Sequence, residues 1–133
     1  HAITTSPPSP LLPATRQVDR HPHIVRYLDH WEEGDRKLHI AMEYAAGGDL
    51  PHHVDALKSR GEWSLSGALQ LAIGAAKGLE FSHSQRIWHR DIKPDNVLVS
   101  ADGRAMLGDW GLARERSETG GSIVSIGVGS PLW

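Results

Sequence analysis

The chain has no cysteine in its 133 residues, which excludes disulfides and cysteine-bound metal. Glycine is missing before Gly34, lysine before Lys37 and glutamate before Glu32. No glycine-rich loop able to cradle phosphate, and no lysine to stand beside one, can therefore lie ahead of His21. Long apolar runs are absent too, so no segment approaches the roughly 20 residues of a membrane-spanning helix. Neither sign of charge dominates. With 14 Lys and Arg against 16 Asp and Glu, the formal net charge is -2, which gives no case for binding nucleic acid. The 9 histidines lack ligand spacing joined to acidic partners and read as surface or core residues.

The first residue is His1, not methionine, and no basic-apolar leader is visible. With the missing cysteines this is compatible with a cytoplasmic or nuclear setting. Ala2 to Ala14 is rich in Pro, Ser and Thr, and Pro7, Pro8, Pro10 and Pro13 cannot sustain a helix. Residues 1–20 are expected to be disordered or atypical, and residues 21–133 to form one folded unit.

What is present is concentrated in His89-Arg90-Asp91-Ile92-Lys93-Pro94-Asp95-Asn96 and, further on, Asp109-Trp110-Gly111. Between them Val97-Leu98-Val99 is a short apolar run, Ala101-Asp102-Gly103-Arg104 carries a turn signal, and Ala105-Met106-Leu107 is a second apolar run. That pattern predicts a hairpin, which returns Asp109 beside Asn96. Two oxygen ligands separated in sequence can then share one hard cation. Phosphoryl transfer requires such ligands, with a carboxylate to orient the attacking hydroxyl. Asp91, Asn96 and Asp109 are groups of the right kind in the right order.

These two motifs resemble the catalytic loop and metal-binding loop of the protein kinase family, whose His-Arg-Asp-x-Lys-Pro-x-Asn is matched at each fixed position. The resemblance implies an α/β (α+β), two-lobed, kinase-like fold, represented by a partial small lobe, a hinge and the first half of a mainly helical large lobe. It implies ATP and Mg2+ as cofactors and a protein with a Ser/Thr acceptor as substrate. Asp91 would be the catalytic base, and Asn96 and Asp109 the metal ligands. Lys93, two residues after the catalytic aspartate, resembles the serine/threonine pattern, in which a lysine contacts the transferred phosphate. The small-molecule phosphotransferases of this fold typically carry His-Gly-Asp instead of His-Arg-Asp.

Lys37 to Tyr44 is a largely apolar run ending in Met-Glu-Tyr, with Ala45-Ala46-Gly47-Gly48-Asp49-Leu50 as a turn into a helix. Alone, it reads as an ordinary buried strand and turn. Its place before the catalytic loop makes it resemble the kinase hinge. Met42 would then be the gatekeeper, backbone around Glu43 and Ala45 would bond the adenine edge, Leu98 would face the nucleotide, and Asp49 would lie near the ribose. His21-Pro22-His23-Ile24-Val25 resembles the segment leading into the fourth strand of the small lobe. Ile24, Val25, Tyr27 and Leu28 could cover both faces of that strand. By resemblance Tyr27, His89 and Trp110 would stack in a column linking the lobes, although from the residues alone a plain buried strand with no linking role is the better reading.

Helical spacing then takes over. Leu50, Val54 and Leu57 follow Asp49, with Pro51 in the first turn and Gly61 as a stop. A second helix is expected from Ser64 or Ser66, with Leu69, Ile73, Ala76 and Leu79 on its packed face and Ala68, Ala72 and Ala75 allowing close approach. Arg86-Ile87-Trp88 reads as a short strand. Leu112 to Trp133 resembles an activation segment, in which Ser130 would bridge to Asp91 and Lys93, and Ser117, Thr119, Ser122 and Ser125 are candidate phosphorylation sites facing Arg90. Each hydroxyl alone reads as part of a polar loop. Trp110 stands where the family usually has phenylalanine, and its larger ring bears on the balance of loop positions. The missing glycines, lysine and glutamate are those of the family's phosphate lid, strand lysine and its partner, which keeps a competing class open: a pseudokinase or truncated binding module without catalysis.

Overall fold

The computed structural model describes the backbone of residues 3–5, 20–33, 37–110 and 114–115. Strands β1 (Ile3–Thr5), β2 (Tyr27–Glu33) and β3 (Lys37–Met42) form one antiparallel sheet in the order β1-β3-β2. The opening residues thus include a strand, with Ile3 opposite Ile40 and Thr5 opposite Leu38. In β2, Tyr27 faces Met42 and Asp29 faces Ala41, so Leu28 is an extra, exposed residue at a bulge.

Strand β2 begins at Tyr27, later than the expected run from Ile24. The reason lies in the preceding segment, which pairs elsewhere. The amide of Leu107 donates to the His23 carbonyl at 2.9 Å, and the Val25 amide donates to the Leu107 carbonyl at 2.9 Å. Ile24 therefore bridges in parallel to the second sheet, in which β4 (Gly48–Asp49), β6 (Val97–Val99) and β7 (Ala105–Leu107) lie in the order β4-β6-β7. His23 adds a side-chain tie: its Nδ1–H donates to the Ala105 carbonyl at 2.7 Å. The His21 ring stacks on Phe81, with centroids 4.8 Å apart and planes 15° from parallel.

Helix α1 (Leu50–Ser59) starts because the Asp49 carboxylate accepts from the His52 amide at 2.8 Å, with Pro51 in the first turn where no amide is needed. It stops at Arg60, followed by Gly61 in the left-handed region at φ 69°. Helix α2 (Leu65–Ser84) is capped by Ser64, whose hydroxyl accepts from Gly67 at 3.1 Å. Strand β5 (Ile87–Trp88) follows and pairs with β8 (Arg114–Glu115).

The packed face of α2 differs from the expected one. Leu71, Gly74, Gly78 and Ser82 are buried, whereas Leu69 and Ile73 are 53% and 48% exposed and Ala76 is exposed too. Leu79 does pack on the core, with Ala75 and Phe81. The cause is two glycines that let the helix approach the sheet. A Cβ at Gly78 would lie 2.5 Å from the His23 carbonyl oxygen, and one at Gly74 2.8 Å from His23 Nδ1. A pattern built on large apolar side chains cannot register contacts made by their absence. Ile24, Leu71, Ile87, Val99, Leu107 and Trp110 form the core between α2 and the second sheet.

This assignment of faces has a direct test in denaturant unfolding. Leu71→Ala should cost about 2–5 kcal/mol as a core truncation, while Leu69→Ala should stay within about 0.5 kcal/mol. The reverse order would mean that α2 presents its other face.

Candidate active site

The hairpin β6–β7 holds the site together. Val97 pairs with Leu107, Leu98 with Met106 and Val99 with Ala105. Its turn closes on Ser100, which bonds the Asp102 carboxylate, while the Arg104 amide donates to Ser100 Oγ at 3.0 Å. The Ser100 hydroxyl holds the Asp102 carboxyl below its usual range. At the open end the Gly108 amide donates to the Asn96 carbonyl at 2.8 Å, so Asp109 is placed beside Asn96, as the spacing predicts.

Asn96 ends a 3-10 turn, Pro94–Asn96, and is buried. Its Nδ2 donates to the Asp91 carbonyl at 2.8 Å and to Asp91 Oδ2 at 3.0 Å. Both neighbours are acceptors, so the donor end of the amide must face them, and Oδ1 is the atom left to meet a cation. Lys93 Nζ lies 3.3 Å from the same Asp91 Oδ2. Asp91, Lys93 and Asn96 are therefore one constellation centred on a single carboxylate oxygen. Asp109 is exposed and, like Arg90, sits in the left-handed region, at φ 50° and 68°. Such conformations cost on the order of 1 kcal/mol each and persist only where the surroundings impose them. The oxygen set of Asn96 and Asp109 fits a magnesium ion, which takes few protein ligands and shares the rest with phosphates and water.

His89 couples the two loops. Its Nε2–H donates to the Gly108 carbonyl at 2.7 Å, and its Nδ1 faces the Asp91 amide at 3.3 Å. The carbonyl can only accept, which fixes the neutral tautomer. Burial lowers the pKa of His89, outweighing the opposite pull of the Gly108 carbonyl and the nearby Asp109 and Asp91 charges. The Trp110 ring packs on it at 4.5 Å, tilted 52°. Trp110 is 6% exposed, and among the described residues its Nε1 has no acceptor. Tyr27 is buried too, with its hydroxyl bonded to His30.

The residues expected beside the nucleotide are divided between the two sheets, with Met42 on the first and Asp49 and Leu98 on the second. Asp49 is the cross-strand partner of Leu98 and also the cap of α1. Met42 closes β3 opposite Tyr27. The Glu43 amide donates to the Arg26 carbonyl at 2.9 Å and its carboxylate accepts the Arg26 amide at 2.7 Å, anchoring this stretch to the β2 side. The Ala45 carbonyl accepts from Gly48 at 3.1 Å, closing the turn. Sequence reasoning passed over Gly108, whose backbone joins Asn96 to Asp109, and the contact of Gly47 with Val99, which a Cβ would overlap and which carries no pattern. Ser117, Thr119, Ser122, Ser125 and Ser130 lie outside the described residues.

Residues 13–133 match the protein kinase domain. The chain is 39% identical over 113 residues to an EPD1-interacting receptor-like cytoplasmic serine/threonine-protein kinase of Nicotiana benthamiana, covering 82% of this chain and 24% of that protein. It is 39% identical over 117 residues to serine/threonine-protein kinase pakB of Dictyostelium discoideum, covering 86% and 13%. With serine/threonine-protein kinase Nek4 of Mus musculus the identity is 33% over 114 residues, covering 86% and 14%. The chain belongs to the protein kinase family, on the serine/threonine side that these relatives represent. It spans about a quarter or less of the length of each. Among the described residues no helix is long and apolar enough to cross a membrane.

Two outcomes follow from the packing. His89 and His21 both have pKa values below the ordinary 6.5, chiefly through burial, so each binds its proton less readily folded than unfolded. The stability they contribute is present above that value and lost as pH falls through it. Unfolding midpoints should therefore decline from about pH 7.5 to about pH 5, and His21→Gln with His89→Gln should flatten the decline. An unchanged slope would assign it to other groups. For Trp110, the orphan N–H costs about 1–3 kcal/mol, which offsets the volume lost in Trp110→Phe. That variant should lie within about 1 kcal/mol of wild type, against about 3–5 kcal/mol for Trp110→Ala.

Proposed function

We propose that the protein transfers the γ-phosphoryl group of ATP to Ser/Thr hydroxyls of a protein substrate. The observation that carries this reading is the convergence of Lys93 Nζ and Asn96 Nδ2 on one oxygen of Asp91, at 3.3 and 3.0 Å. Two donors hold the carboxylate in one orientation, as a base for the incoming hydroxyl requires. Asp91 takes the hydroxyl proton; Lys93 sets a positive charge beside the phosphoryl group in transfer. Asn96 and Asp109 hold Mg2+, which supplies charge neutralisation on the phosphates when bound. Met42, the backbone at Glu43 and Ala45, Leu98 and Asp49 receive the adenosine. The absence of cysteine is compatible with a cytoplasmic or nuclear site of action.

One observation favours the alternative of a pseudokinase or non-catalytic binding module. The strand bonded to β3 beside the hinge is Ile3-Thr4-Thr5, which has no lysine. A single pair of measurements on the full-length protein separates the two readings. Asp91→Asn should lower turnover by about 10²–10⁴-fold, with ATP affinity within about two-fold, because the residue meets the acceptor and not the base. Asp109→Asn should weaken ATP binding only when magnesium is present. Binding of magnesium-ATP by the wild type without any phosphate transfer would establish the non-catalytic reading instead.

A further inference from the structure

We infer that Gly47 is a positioning residue that sets the distance between the hinge backbone and the metal-ligand end of the β6–β7 hairpin; the inference rests on the kinase reading above. The Gly47 amide donates to the Val99 carbonyl at 2.8 Å. A Cβ built on Gly47 would stand 2.9 Å from both the Val99 carbonyl oxygen and the Val99 Cβ, and 3.0 Å from Cγ1. Two of those atoms belong to backbone or its first side-chain carbon, so no rotamer change relieves the overlap. Val99 cannot retreat either: it is fully buried, paired on its other side with Ala105 and part of the core. Any side chain at 47 must therefore lift the hinge turn off β6.

The displaced turn is tied to both ends of the site. Ala45, two residues earlier, bonds Gly48, and Asp49, two residues later, pairs with Leu98. On β6 itself Val99 leads back through Leu98 and Val97 to Asn96, a rise of about 10 Å at roughly 3.3 Å per residue. The hinge and the cation ligands are thus indexed along one strand, and Gly47 is the point at which the hinge is fastened to it. A ligand with a base at one end and phosphates at the other reads that spacing; a ligand with the base alone does not. Among the residues of the turn, Gly47 is singled out by contact and not by strain, since the left-handed glycine is its neighbour Gly48, at φ 74°.

The test compares adenosine with magnesium-ATP, by calorimetry on the full-length protein. In wild type magnesium-ATP should bind the tighter of the two. Gly47→Ala should leave adenosine affinity within about three-fold while the advantage of magnesium-ATP over adenosine falls by about ten-fold or more, as expected when groups that act jointly are misplaced. Should Gly47→Ala fail to unfold cooperatively on heating, the same ratio is read on Val99→Ile, which enlarges the side chain that Gly47 touches, with a smaller fall expected. An unchanged ratio in a folded variant overturns the inference. So does a parallel loss of both ligands in step with a lower melting temperature, which a merely structural glycine would give. A wild-type protein for which magnesium-ATP shows no advantage over adenosine overturns the kinase reading itself, a result distinguishable from either.

Discussion

The pairing of β6 with β7 is the constraint on which the rest of the molecule depends. Three residues on each side of this ladder support β4 at one edge, receive Ile24 at the other and carry α2 across one face. Asn96 precedes the first strand and Asp109 follows the second, so the same ladder that builds the core also brings these two residues to each other. Stability and chemistry are supported by one set of backbone hydrogen bonds. A one-residue slip of β6 along β7 would reverse the faces of Val97 and Val99 and part Asn96 from Asp109 in the same step.

The Asn96 end of the hairpin shows how a polar cluster is made tolerable in a buried setting. Asn96 and His89 are largely sealed from water, and both are bonded on the sides that face protein. Burial without partners would cost several kcal/mol; burial with them fixes orientation. His89 is held neutral by its surroundings and bonds the carbonyl of Gly108, so the residue before Asp109 cannot shift without breaking a buried hydrogen bond. Trp110 is the exception in this cluster, with an indole N–H that has no acceptor among the described residues.

Much of this was legible in the sequence, for stated physical reasons. The hairpin and its return of Asp109 beside Asn96, a helix after Asp49, a second helix starting near Ser64 or Ser66 and the stop at Gly61 follow from local chemistry: turn residues, a proline in a first turn and a glycine at a helix end. What was not legible depends on partners distant in sequence. Leu69 and Ile73 satisfy helical periodicity as well as Leu71 does, and only Gly74 and Gly78, pressed against His23, decide which face turns inward. Ile24 and Val25 have the composition of a β2 strand, yet their backbone is paired with Leu107 instead. Gly47 acts through a contact that a side chain would prevent, and no amphipathic pattern reports that.

The bridge between Ile24 and Leu107 also bears on how the chain is made. Its partners are more than 80 positions apart, so during synthesis the β2–β3 hairpin emerges long before the strand edge that will fix it. At about 5–20 residues per second the wait is several seconds, far longer than the microseconds in which a hairpin forms. For that interval the first sheet has strands but no anchorage, and the chain between them and β7 is an open loop. Segments in that position depend on their own polarity, or on a chaperone, to stay out of trouble. The exposed Asp29, Glu33 and Arg26 around β2 give this hairpin charge to carry through the delay.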